Sequence, residues 1–155
     1  MACDASVILS SKIGKREQKL VDFIIGYRQT TRKPEELITE IVVPKPKGVV
    51  KSYKISKRKD LDISTVSATI FLKTENKNIH EIRIFYGGMA AFTKRAKQTE
   101  NFLKGKALEE KSFVDAQKFI AQDFAPISDE RSGKDARMIM AKNLLLKFWS
   151  ELEMN

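Results

Sequence analysis

A chain of 155 residues with 42% hydrophobic and 32% charged side chains is long enough to bury a full core and too apolar to be disordered or fibrous. Its single cysteine, Cys3, excludes an internal disulfide framework and any cysteine-built zinc or iron–sulfur site, and suits a reducing cytoplasm. The net charge of +9 invites phosphate, but neither a zinc-finger spacing nor a helix-turn-helix pattern nor a set of RNA-stacking aromatics accompanies it, and no apolar run reaches the ~18 residues of a membrane span.

Residues 5–9 are apolar and β-prone, 14–19 are polar behind a turn glycine, and 20–27 return to apolar, which predicts a hairpin and a short helix or turn. Pro34 with Glu35 and Glu36 leads into Leu37, Ile38 and the β-prone run Ile41, Val42 and Val43, stopped by Pro44 and Pro46. The stretch Pro44-Lys45-Pro46-Lys47-Gly48 is the clearest breaker, so the expected division is an arm over 1–46 and a compact domain over 47–155.

Strands are expected over about 49–56, 65–73 and 79–86, as an antiparallel meander whose second connection is the turn Glu75-Asn76-Lys77-Asn78. Alternation in the first strand puts Tyr53 and Ile55 on one face and Ser52, Lys54 and Ser56 on the other. The dense charge of Lys57, Arg58, Lys59, Asp60 and Asp62 marks an exposed loop. In the third strand His80 falls with Ile82, Ile84 and Tyr86 on the apolar side; with no partner nearby it reads as a packed or edge residue and not as a catalyst. Gly87-Gly88 ends this strand, either as a tight turn or to let backbone approach something closely.

Three helices follow. Thr93 is the expected cap of the first, which runs to about Lys104 before Gly105, while Ser112 with Asp115 and Ser132 with Asp135 resemble capping boxes for the other two. The last carries Ala136, Met140, Leu144, Phe148 and Leu152 along one ridge, flanked by Ile139, Leu145 and Trp149. Between the second and third, residues 123–129 form a proline turn leading to a cap. Strands first and helices afterwards predict an α+β fold, a three-stranded antiparallel sheet packed against three helices, preceded by the short β-rich arm. Neither a nucleophile–base pair nor a metal-ligand cluster is legible, so the chain carries no catalytic residue of its own and no metal site.

The order Tyr53-Lys54-x-Ser56-x-Arg58-Lys59-Asp60-x-Asp62-Ile63, then Tyr86-Gly87-Gly88-Met89-Ala90, resembles the C-terminal domain of the flavin subunit of the xanthine dehydrogenase and carbon monoxide dehydrogenase family of molybdenum hydroxylases. Upstream, Gly26-Tyr27-Arg28-x-Thr30 and Pro34-Glu35-Glu36-Leu37-Ile38 resemble the segment leading into that domain. The resemblance implies an oxidoreductase in which electrons pass from a molybdopterin cofactor through iron–sulfur clusters to FAD, and from the flavin to NAD or another acceptor. Residues 1–46 would then be the tail of an FAD-binding domain lying upstream, and the chain a fragment or an orphaned short protein. Molybdopterin and iron–sulfur clusters would sit on partner domains or subunits of the same complex.

Lys54 matches the lysine that contacts the flavin and Ile38 the apolar residue that packs on it, so these are the expected cofactor-binding residues. The loop 57–62 matches one bordering the flavin and the acceptor site, with Leu61 where an acid can occur. Residues 123–132 resemble the family's proline-containing loop ending in an acid and an arginine. Gly87-Gly88 tips, through the resemblance, towards approach of a cofactor. The alternative is a basic α+β binding or subunit-assembly module without flavin chemistry, for which Lys51, Lys54, Lys57, Arg58 and Lys59 would offer a salt-sensitive surface for nucleic acid.

Overall fold

The structure, a computed structural model, describes residues 1–58 and 62–153. They form two compact units, Met1–Pro46 and Lys47–Asn155.

The first unit runs β1 (Ser6–Ser11), β2 (Gly14–Lys19), α1 (Leu20–Phe23), β3 (Ile24–Gly26), β4 (Gln29–Thr30) and β5 (Leu37–Val42). β1 is central in the sheet order β2-β1-β5, which lets its alternate apolar residues Val7 and Leu9 pack with Phe23 from α1. Arg16 on β2 donates to Glu36 and to the Thr31 carbonyl, while Glu36 accepts the Lys33 N–H. This knot fixes the bend immediately before β5.

The second unit runs β6 (Val49–Ile55), β7 (Val66–Glu75), β8 (Asn78–Gly87), β9 (Lys94–Arg95), α2 (Lys97–Leu103), α3 (Glu110–Asp123) and α4 (Lys134–Glu153). Its sheet is antiparallel in the order β6-β7-β8-β9, so the expected three-stranded meander gains a two-residue edge strand where the first helix was expected to begin. Asn76 and Lys77, both at positive φ, make the two-residue β7–β8 turn. Val66, Ala68, Ile70 and Leu72 of β7 face Phe113, Ala116 and Ile120 of α3 and Ala141, Leu144, Leu145 and Phe148 of α4 in one core. Each fully buried Leu or Phe there contributes roughly 1.5–3 kcal/mol. Tyr86 is buried among them and donates its hydroxyl to the Ala141 carbonyl at 2.8 Å.

Local sequence rules missed some placements. A β-bulge pairs Lys73 with Glu81 and Thr74 with Ile79, leaving His80 as the extra residue. Ile79 therefore enters the core and His80 turns outward beside Glu75, instead of lying on the apolar side. None of the serines and threonines expected as caps serves as one. Asp123, from the end of α3, accepts the Gln98 and Thr99 N–H groups and the Thr99 hydroxyl at the start of α2. Ser112 lies inside α3 and bonds the Ala107 carbonyl; for α4, Ser128 accepts the Lys134 N–H. On α4 the expected Leu144, Leu145, Phe148 and Trp149 are buried and Met140 and Leu152 pack partly on the core, but Ala136 and Ile139 are exposed, and the buried face begins instead with Arg137 and Ala141.

Candidate functional site

Lys54 lies on β6 with its side chain exposed, while Tyr53 and Ile55 pack on the core from the other face, as the alternation predicts. Across the sheet Lys54 pairs with Ser67, and Ser67 with Gly87. The neighbouring row is Ser52, Thr69 and Phe85, with the Ser52 and Thr69 hydroxyls 3.1 Å apart. The ammonium thus stands over small and hydroxyl-bearing residues on the sheet face turned away from the helices. A Cβ on Gly87 would come within 2.6 Å of the Ser67 hydroxyl oxygen, so the shortest side chain is what keeps that row low.

The nearby cations differ in what they already hold. Lys51 points to the opposite face and pairs with Glu151 at 3.7 Å. Lys57 donates to the Glu130 carbonyl at 2.8 Å, and the Arg58 N–H donates to Asp62. Lys54 has no hydrogen-bond or ion-pair partner among the described residues. An uncommitted ammonium on a regular strand is available to a ligand without breaking a contact. Because Lys51 and Lys54 face opposite ways, the basic stretch does not make one continuous stripe. Lys59, Asp60 and Leu61 lie outside the described residues.

Asp62 and Asp129 shape the loops beyond this strand end. Backbone N–H groups of Arg58 and Ile63 hold the Asp62 carboxyl below its usual range, and the Arg137 guanidinium does the same for Asp129. Gly88, at φ +78°, packs so closely on the Thr65 carbonyl that a Cβ would overlap it at 2.2 Å. This glycine permits a close approach to the chain's own backbone and to Arg137. Sequence reasoning missed Arg137 altogether, since nothing local distinguishes it from a surface arginine.

In the first unit, Ile38 is 47% exposed on β5. A bulge opposite Ile8 and Leu9 gives the pairs Val7 with Ile41 and Leu9 with Ile38, so both isoleucines share the face of the buried Val7 and Leu9. Without the extra residue one of them would point away. Leu37, Val42 and Val43 are exposed as well, which makes β5 an aliphatic strand with open surface.

Taken each by itself, β5 offers an aliphatic surface of the kind that a flat apolar ring packs on, and β6 offers an ammonium over small residues of the kind that meets an electron-rich group. No cluster of His, Cys, Asp and Glu able to hold a metal occurs among the described residues, and no helix there is long and apolar enough to cross a membrane.

Residues 51–152 match the family described as the CO dehydrogenase flavoprotein C-terminal domain, and residues 1–46 match the FAD binding domain in molybdopterin dehydrogenase. The glyceraldehyde dehydrogenase medium chain of Sulfolobus acidocaldarius is 31% identical over 151 residues, covering 97% of this chain and 54% of that protein. Xanthine dehydrogenase of Blastobotrys adeninivorans is 41% identical over 99 residues, 61% of this chain and 7% of that one. In fold, the chain resembles quinoline 2-oxidoreductase from Pseudomonas putida 86, with a TM-score of 0.86 at 23% identity over 97% of this chain and 52% of the other. A structure of Cu,Mo-CO dehydrogenase gives a TM-score of 0.84 at 26% identity, over 94% of this chain and 51% of the other. The chain thus spans about half the length of its medium-chain relative and far less of the xanthine dehydrogenase.

Proposed function

Because the chain belongs to the CO dehydrogenase flavoprotein C-terminal domain family through residues 51–152, we propose that it works as part of the FAD subunit of a xanthine dehydrogenase-like oxidoreductase. Residues 1–46 are, in this reading, the end of the FAD-binding domain, and residues 47–155 the domain that completes it. FAD, when bound, supplies the electron-transfer chemistry, taking electrons from iron–sulfur clusters on a partner and releasing them to NAD or another acceptor. Molybdopterin and iron–sulfur clusters belong, in this reading, to partner subunits. The setting is cytoplasmic, in keeping with the single free cysteine.

Within this reading Lys54 and Ile38 have separate tasks. The Lys54 ammonium lies beside the flavin ring and favours negative charge arriving there. Ile38 covers ring surface with aliphatic carbon and keeps water from it. The observation that carries the proposal is the state of Lys54: a cation on a regular strand, over small residues, that no group among the described residues neutralises.

The test is the flavin midpoint potential of the flavin-loaded protein containing this chain. Lys54→Met keeps the aliphatic stem and removes the charge, and is expected to lower the potential by about 30 mV or more, the equivalent of ~1.4 kcal/mol in a two-electron couple. Lys57→Met, whose cation already serves the Glu130 carbonyl, is the control and is expected to leave the potential near the parent's. Equal shifts in both variants, or none in Lys54→Met, would make Lys54 an ordinary solvated lysine.

A further inference from the structure

Arg137 is 4% exposed, on the first buried turn of α4. Its Nη1 donates to the carbonyls of Thr65 and Gly88, the latter at 2.8 Å, and its Nη2 to Oδ1 of Asp129 at 2.6 Å. Three separated segments meet on this one guanidinium. Thr65 closes the loop that leaves β6, since its N–H donates to the Ile55 carbonyl at 2.7 Å, one residue from Lys54. Gly88 is the turn after β8. Asp129 belongs to the connection between α3 and α4, where its Oδ1 also accepts the N–H groups of Arg131 and Ser132. A direct strut joins the two loops as well, because Lys57 donates to the carbonyl of Glu130.

A demand for stability alone does not explain an arginine here. Position 137 begins the apolar ridge of Ala141, Leu145 and Phe148, where a leucine would continue the packing, and replacing a buried ion pair with apolar residues is often neutral or stabilising. The guanidinium Nε is buried and has no acceptor, so the arginine is kept despite an unmet donor. What a leucine could not supply is a planar fork that reaches two carbonyls with one nitrogen and a carboxylate with the other.

We infer that Arg137 is a positioning residue: with Asp129 it clasps the loop of residues 124–133 to the described ends, residues 56–58 and 62–65, of the connection between β6 and β7, and so holds the strand end beside Lys54 in one arrangement. The functional consequence rests on the flavin reading, in which the 57–62 loop is expected to border the flavin and the acceptor site; the clasp itself does not. Opening the clasp frees residues 56–58 and 62–65 while leaving the sheet and helices folded. It also unlocks the rim through which an electron acceptor would approach.

Trypsin measures this directly in the 155-residue chain without cofactor, because Lys57 and Arg58 lie in the clasped loop. Arg137→Lys keeps the charge, but a single ammonium cannot span from the two carbonyls to Asp129. Asp129→Asn keeps the oxygen that shapes its own turn and removes the charge that strengthens the bond to Arg137. At a temperature where circular dichroism shows each variant folded, both are expected to be cut after Lys57 and Arg58 roughly fivefold or more faster than the parent, as the open population grows. Cutting after Lys106, at the exposed turn following α2, should change by less than about twofold. Loop cleavage at the parent's rate in either variant, or an equal acceleration after Lys106, overturns the proposal. The flavin potential of Lys54→Met tests the other reading, so either can fail without the other.

Discussion

Glu36 sits in a ring of donors, with the Arg16 Nε and Nη2 on its two oxygens and the Lys33 N–H on one of them. The guanidinium first, and then the backbone N–H, hold its carboxyl down to about 2, against the opposing effect of burial. A carboxyl whose pKa is depressed on folding stabilises the native state above its unfolded value and loses that contribution as the pH falls through the folded one. The knot around β5 should therefore hold down to about pH 4.5 and weaken progressively between there and about pH 2. Glu36→Gln removes this dependence. Acid titration of the two proteins, followed by exchange or resonance shifts in residues 33–42, should show a transition in that window for the parent and a flat profile for the variant. A parent profile equally flat would mean that the pair contributes nothing to the order of β5.

Helix α2 of the second unit is started by a group from elsewhere in the chain. Asp123 satisfies both the Gln98 and Thr99 N–H groups of α2, although it lies at the far end of α3, and is itself 7% exposed. This contact fastens two helices that also meet through the stacked rings of Phe102 and Phe119, 4.5 Å apart. Asp123→Ala should reduce the stability of this unit in urea by about 1–2 kcal/mol, because it removes a helix cap and strands the Thr99 hydroxyl. Asp123→Asn, which retains an acceptor, should recover part of the loss. An alanine variant within ~0.5 kcal/mol of the parent would show that water caps α2 as well as the carboxylate does.

On the scale of the whole molecule the two units differ in what they bury. Residues 47–155 enclose a core running from Val66 to Trp149, whereas in residues 1–46 Val7, Leu9 and Phe23 cluster and the small Ala2 and Ala5 are also buried. Such an imbalance predicts independent stability for the second unit and easier opening for the first. Limited proteolysis should cut first at residues 44–48 or within 1–46 and leave a product of about 47–155 that keeps its helical circular dichroism. First cuts inside α2, α3 or α4 would contradict this.

Short-range periodicity was enough to place the three long strands and three helices of residues 47–155 and the outward face of Lys54, though not the edge strand β9, because alternation and breaker residues act within a few positions. The quoted motifs around Lys54 and Gly87-Gly88 also carried the family. Tertiary structure decided the rest. The bulge that ejects His80 depends on the partner strand's register, and the cap of α2 is a residue 25 positions from the N–H it accepts. Arg137 is buried only because Thr65, Gly88 and Asp129 converge on it from three segments. Likewise, Lys54 is set apart from Lys51 and Lys57 by the partners those two find, not by the residue type all three share. Local sequence encodes which way a side chain points from its own backbone; which groups meet it there is fixed by contacts between positions far apart in the chain.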